Sequence, residues 1–347
     1  MRPALALPLC VAALLLSATA PSRADDPPAD KSAATDKAAE KEKPALPPAV
    51  THHKITIGGQ TVAYTATAAT IDLKNDDGDA IGRMFYVAYT ADGVTDPRTR
   101  PVTFCFNGGP GSSSLWLQMG SFGPKRVDVS DGTPTPPAPY AVVDNPDSLL
   151  DVTDLVFIDA MGTGYSRILP KGKPKDFYGT DPDIAAFGQF IERWVTQAQR
   201  WNSPKFLLGE SYGTTRSAGV VDYLANEKHM EMNGVVLVSV ALDLEAIFEW
   251  PGNERPYPLF VPTFAATAWY HKALPDPPAK LEPFLTEVRQ WAVGPYAAAL
   301  AKGDQLSDAE RDQIVAKLHR YTGISEDYIR QANLRIGESQ FTHELLR

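Results

Sequence analysis

The sequence predicts an α/β fold: a mostly parallel sheet covered on both faces, an antiparallel edge at its start and a helical cap inserted after it. Three observations predict this. Between residues 100 and 245, short continuous apolar runs alternate with amphipathic helical segments, which is the layout of parallel strands joined by crossover helices. An alternating stretch with paired glycines precedes them, as an antiparallel hairpin requires. After residue 245 the chain becomes aromatic and proline-rich, then helical.

The elements follow in order. Order begins near Lys54, where KITIGGQTVAYTATAATIDL reads as a hairpin turning at Gly58-Gly59, and AIGRMFYVAYTAD supplies another strand. PVTFCFNGG is a short apolar strand ending in glycines, and Leu155 to Ile158 form a second, ending at Asp159. Asp181-Pro182-Asp183 opens a helix, because proline is tolerated in the first turn. Its apolar positions Ile184, Phe187, Ile191, Trp194, Val195 and Ala198 keep a 3.6-residue period. KFLLGES is the next strand, TTRSAGVVDYLANE a helix, and GVVLVSVAL the strand after it. In the cap, Ser307 and Glu310 fit a capping box ahead of Ile314, Val315 and Leu318, and a further helix starts near Ser325.

The chain has 347 residues, 44% of them hydrophobic, enough for one large domain with an insertion. Its formal net charge of -9 opposes binding to phosphate backbones and excludes a nucleic-acid partner. Residues 1–24 carry one arginine, an apolar run and the small-residue pattern Ser22-Arg23-Ala24, the layout of a signal peptide cleaved after Ala24. The run is short for a membrane span and contains prolines, so no stable membrane anchor is expected; Leu9 before Cys10 argues against a lipid attachment site. Export to a periplasm or the medium follows. Residues 25–50 are rich in Pro, Ala, Asp, Glu and Lys without apolar periodicity and read as a disordered arm. The folded domain is then 51–347, with a sheet core at 51–245 and a cap region at 246–347. Cys105 is left alone in the mature chain, so no internal disulfide forms. Its place in a strand suggests a buried, inert thiol. No metal ligands cluster, no cofactor is implied, and the sequence is silent on oligomeric state.

Two motifs carry chemistry. Gly209-Glu210-Ser211-Tyr212-Gly213 lies between a strand and a helix, the context in which G-x-S-x-G exposes a nucleophilic serine on a tight turn. The glycines allow the strained backbone and close packing, and the helix N-terminus directs free N–H groups toward developing negative charge at Ser211. The bland alternative is an ordinary strand-to-helix turn. The second motif, FNGGPGSSSLW at 106–116, also follows a strand. An acyl-transfer site needs two N–H donors for its oxyanion. Tyr212, after the nucleophile, and Gly109, in the glycine loop, fill those roles. A phosphate loop is the alternative, but no Lys follows these glycines.

NGGPGSSS, GPKRV, NPDSLLDVTDLVFIDAMGTGYS and GESYG occur in this order. Together they resemble the serine carboxypeptidase family of α/β-hydrolases, from about residue 100 to 245 and more loosely beyond. The resemblance implies an exported serine-type carboxypeptidase acting on peptide or protein C-termini through an acyl-enzyme on Ser211. It also implies that Asn107, the Gly108 N–H and Glu210 recognise the substrate's terminal carboxylate. Glu210 beside that carboxylate is a like-charge pair unless a proton is shared, which favours mildly acidic pH. The bland readings are a turn-forming Asn107 and a solvated Glu210. Three positions depart from the family pattern. Cys105 stands where Trp is frequent, Ser121 where a Glu of the carboxylate network is frequent, and Ser112 where many members have Cys. An esterase or acyltransferase on the same elbow, and a non-catalytic peptide-binding remnant, remain as alternatives.

The family order places an Asp and then a His well downstream of the serine. His229, His271, His319 and His343 follow Ser211, but none lies in a glycine-flanked loop after a late strand, and His52 and His53 precede the fold. Asp243 is an acid by position only. The expectation is therefore that base and acid lie outside this chain, which would be a truncated copy or part of a longer enzyme. Its peptidase activity alone would be slight, because nothing removes the serine proton.

Overall fold

A computed structural model of the chain describes residues 45–129, 137–345 and 347. The signal-peptide reading of 1–24 and most of the arm expected at 25–50 lie outside the described residues. The main sheet begins with β1 (Ala49–Ile57), β2 (Gln60–Lys74) and β3 (Ala80–Ala91), joined antiparallel, with β1 turning into β2 at Gly58-Gly59. β1 starts five residues ahead of Lys54, inside the stretch read as the arm. Its first residues are exposed, and the backbone ladder to β2, starting at Ala49 opposite Ala68, holds them without any apolar signal.

The next strands are β4 (Val102–Phe106), a small side ribbon of β5 (Lys125–Val127) and β6 (Val142–Asp144), then β7 (Asp154–Ile158) and the short β8 (Arg167–Ile168) against β3. β9 (Lys205–Glu210) and β10 (Gly234–Val238) complete the main sheet, whose order is β1-β2-β3-β7-β4-β9-β10. β7, β4, β9 and β10 run parallel to one another. This is an α/β-hydrolase type of mixed sheet, with the antiparallel edge where the hairpin predicts it.

Side chains of β4, β7 and β9 alternate between two buried faces. Phe104, Phe106, Val156, Ile158 and Leu207 meet Phe187, Phe190 and Trp194 of α2 (Thr180–Gln197) and Val220 and Leu224 of α3 (Tyr212–Lys228). Cys105, Leu155, Phe157 and Leu208 face the other way, where Ile55, Tyr64, Leu117 and Leu150 cover them; α1 (Leu115–Leu117) is a single short turn there. Both long helices thus lie on one face of the sheet. β10 differs from the expectation of a sheet covered on both faces. Among the described residues it pairs only with β9, and Val235, Val236 and Leu237 are 40%, 47% and 44% exposed. An apolar run reports a strand's composition, not whether neighbours cover it.

The helices after residue 255 pack around their own core. They are α4 (Pro256–Tyr270), α5 (Leu281–Trp291), α6 (Ala297–Lys302), α7 (Asp308–Thr322), α8 (Glu326–Gln331) and α9 (Glu338–Leu345). Phe264 of α4 stacks on Phe341 of α9 at 4.1 Å, and Val288, Val315, Leu318 and Ile329 are buried beside them. The capping box at Ser307 and Glu310 forms, and Ser325 caps α8. Among the described residues no helix is long and apolar enough to cross a membrane.

Candidate active site

β9 is pinned in the sheet between β4 and β10 and ends at Glu210. Ser211 follows with φ 56° and ψ -124°, and α3 starts at the next residue. A side chain rarely accepts that backbone region, so the surroundings must impose it. They do so from three sides. The Ser211 N–H donates to the Val238 carbonyl at 3.0 Å, and its own carbonyl accepts from the Thr214 hydroxyl at 2.6 Å. A Cβ on Gly209 would sit 2.1 Å from the Gly213 oxygen, so only glycine lets the helix close on the strand.

The glycine loop after β4 lies against this elbow. A Cβ on Gly108 would fall 2.4 Å from the Tyr212 nitrogen and 2.7 Å from the Glu210 oxygen. The two motifs, about a hundred residues apart in sequence, are therefore in backbone contact. Tyr212 is the first residue of α3, so its N–H has no acceptor within the helix. Gly109 adopts φ 106° and borders both clefts that flank the elbow. Behind the loop, Ser114 donates its hydroxyl to the Ile158 carbonyl and its N–H to Asp159 at 2.9 Å. Burial pushes the Asp159 carboxyl above the usual range, although the Ser114 and Tyr165 N–H groups oppose the shift.

Asn107 and Glu210 meet. Asn107 is 2% exposed, donates from Nδ2 to Glu210 Oε2 at 2.9 Å, and accepts the Leu117 N–H at 3.0 Å. One cleft, of about 620 Å³, holds Asn107, Gly109, Glu210 and Ser211, with Trp116 and Val238 at its sides. The other, about 500 Å³, holds Gly109, Tyr212 and Asp183 among mainly apolar neighbours such as Met161, Phe177 and Phe248. Ser211 is half-buried in the first. Cys105 is fully buried in β4, and burial pushes its thiol up, away from reactivity.

No described histidine borders either cleft. His229 caps the far end of the 17-residue α3, about 26 Å from Ser211 at 1.5 Å per residue. His52 and His53 lie on β1, five strands from β9, roughly 24 Å away. His319 and His343 bond to the carbonyls of Ile324 and Ser339, and His271 lies against the Tyr270 ring. Asp243, an acid by position, is spent otherwise. It caps the short turn at Leu244–Ala246 and pairs with Arg255 at 2.7 Å. Among the described residues no group of three or more His, Cys, Asp or Glu is placed to hold a metal ion.

Sequence reading missed Arg216. It is fully buried beside the glycine loop, donates to the Asn107 carbonyl at 2.7 Å and pairs with Asp183 at 2.7 Å. Burial raises the Asp183 carboxyl, and the Arg216 charge pulls it back. The signal was available: Arg216 shares a helical face with Val220 and Leu224, where a charge needs a partner.

Residues 70–245 match the family model described as Serine carboxypeptidase. Among curated proteins, "Serine carboxypeptidase-like 46" of Arabidopsis thaliana is 25% identical over 206 residues, covering 57% of this chain and 38% of that protein. "Serine carboxypeptidase-like 45" of the same plant is 25% identical over 173 residues, covering 48% and 34%. The chain thus spans about a third of the length of the curated relatives it matches. Among solved structures, the prohormone-processing carboxypeptidase Kex1(delta)p of Saccharomyces cerevisiae aligns with a TM-score of 0.46 and 21% identity, over 75% of this chain and 53% of that one. A putative aryl esterase of Burkholderia cenocepacia aligns with a TM-score of 0.31 and 16% identity, over 65% and 67%.

Proposed function

The chain belongs to the serine carboxypeptidase family, and from that premise we propose that it carries the nucleophile, the oxyanion donors and the carboxylate-binding groups of an exported serine carboxypeptidase. The observation that carries this reading is Ser211 on its strained elbow, in backbone contact with the glycine loop. Ser211 Oγ attacks the last peptide carbonyl of the substrate. The N–H groups of Gly109 and Tyr212 hold the oxyanion. Asn107, the Gly108 N–H and Glu210 take the terminal carboxylate in the cleft they share with the serine. The C-terminal residue leaves as a free amine component, and water then releases the acyl group from Ser211.

Both steps need a base: in the first it accepts the serine proton and passes it to the leaving amine, and in the second it takes a proton from water and returns it to Ser211 Oγ. The placement of the six histidines supports a base and acid from outside this chain. The open edge of β10 is where a further strand would add, because Val238 at its end borders the serine's cleft and holds the Ser211 N–H. The same lack of a neighbouring histidine favours a second reading, a peptide-binding remnant without catalysis.

The test is an assay of the chain for release of the C-terminal residue from a blocked dipeptide, beside labelling of Ser211 with a serine-directed phosphonate. The proposal expects negligible turnover with slow, Ser211-dependent labelling. Turnover abolished by Ser211→Ala would place a base within this chain. Binding of a peptide carboxylate with no labelling would select the remnant.

A further inference from the structure

We propose that Arg216 is a positioning residue that fixes the Asn107–Gly108 peptide so that the Gly108 N–H faces the substrate carboxylate. The inference rests on the carboxylate-binding role proposed above for Asn107 and Gly108.

A guanidinium with no solvent exposure is costly, several kcal/mol per buried ion before compensation. At this position of α3 a hydrophobic residue in line with Val220 and Leu224 would pack without that cost. What the arginine supplies is direction. Nε and Nη2 grip the two oxygens of Asp183 at 2.7 and 3.3 Å, while Nη1 donates to the Asn107 carbonyl at 2.7 Å. The Phe187 ring lies 4.2 Å from the guanidinium carbon and fixes the plane from its face. Asp183 sits in the first turn of α2, where the helix end favours a carboxylate. The fork is therefore held on two edges and one face.

Asn107 is the first residue beyond β4, so the sheet ladder does not fix its carbonyl. Arg216 does. The Asn107–Gly108 bond is trans, and a trans peptide carries its C=O and N–H on opposite sides. An oxygen held on the Arg216 side turns the Gly108 N–H away from it. The next residue, Gly109, and the Asn107 side chain border the serine's cleft. A lysine would keep the charge but cannot hold Asp183 and a carbonyl with one planar fork.

The experiment compares binding of N-acetyl-L-phenylalanine and its C-terminal amide to the full chain and to Arg216→Lys and Asp183→Asn. Wild type is expected to prefer the acid. Arg216→Lys is expected to lose about tenfold in affinity for the acid, as for one charge-assisted contact, with the amide unchanged. The Gly108 amide resonance should shift on adding the acid to wild type and not to the lysine variant. A purely structural role would lower the melting temperature and leave the acid-to-amide ratio intact, and that result overturns the inference. If Arg216→Lys does not fold, Asp183→Asn decides: it frees one edge of the fork and should reduce the ratio, and an unchanged ratio overturns the inference. A wild type with no preference for the acid removes the carboxylate role itself, and this inference with it.

Discussion

The Asn107 amide donates to Glu210 Oε2 across 2.9 Å, joining the ends of the neighbouring strands β4 and β9 by their side chains. The same amide accepts the Leu117 N–H, so one buried residue ties the glycine loop to the elbow and to the turn behind it. Replacing Asn107 by Ala leaves the buried Leu117 N–H without an acceptor. The expected cost is roughly 1–3 kcal/mol, read from urea unfolding at neutral pH. Asn107→Asp restores the acceptor but sets a second carboxyl against Glu210. It should recover stability only when the pH is lowered enough to protonate one of the two.

Gly108 is the closest point between the two motifs. Alanine there would press a methyl group onto the Tyr212 nitrogen, a backbone atom that cannot swing aside. Gly108→Ala is expected to abolish phosphonate labelling of Ser211 while the far-ultraviolet circular dichroism is kept. Gly294→Ala is the control, since a Cβ there meets nothing within 4 Å and the residue borders neither cleft. Equal labelling of the two variants would show that the loop and elbow are not coupled.

The pattern of apolar runs was sufficient to place β4, β7, β9, the crossover helices and the elbow, because each lies in a fully packed layer where composition and burial agree. The hairpin was legible from its glycines, and the contact between the glycine loop and the elbow from strand context on both sides. What could not be read depends on neighbours distant in sequence. Val236 looks as buried as Val156 until β10 is seen to lie at the sheet edge among the described residues. Asp243 looks like an acid at a strand end until Arg255 is placed beside it. Arg216 and Asp183 lie 33 positions apart on two helices, and neither has a local motif that announces the other.

Glu310 tests the capping box through pH. It accepts from Lys302, whose bond is its largest perturbation, and from the Ser307 N–H and hydroxyl, and these hold its carboxyl down to about 2. A carboxyl lowered in the folded state stabilises above its unfolded value and loses that contribution as pH falls through the folded one. Glu310→Gln should therefore be less stable than wild type at pH 7, with the gap closing as the pH approaches 2. Thermal melts across that range measure it. A gap that persists at the acid end would mean that the charge is not what caps α7. Ser307→Ala removes the cap itself and is expected to cost about 1 kcal/mol at pH 7, with the part that comes from its bond to Glu310 fading toward pH 2.

Among the described residues β10 presents an unpaired strand edge with Val235, Val236 and Leu237 half-open to solvent, followed by Leu242 at 89% exposure. Such an edge invites pairing with another chain. Val236→Lys is expected to reduce concentration-dependent association in sedimentation velocity while changing stability by less than about 0.5 kcal/mol, as for an exposed position. Association equal to that of wild type would show that this edge does not pair with a second copy.

Ser211 stores backbone strain at the turn between β9 and α3. At φ 56° and ψ -124° a side chain costs of order 1–3 kcal/mol, whereas glycine enters this region readily. Ser211→Gly should remove that cost and lose about 0.4–1 kcal/mol of it to the freer unfolded chain. The net expectation is a gain near 1 kcal/mol, or about 2 °C in a domain of this size. Ser211→Ala keeps its Cβ and thus the strain, so its melting temperature should match wild type. Both variants should lose phosphonate labelling completely. The comparison separates the two roles of one residue, since the hydroxyl is missing from both variants but only glycine relaxes the turn. If alanine and glycine melt together, the bend is not strained, and the serine is held out by packing alone.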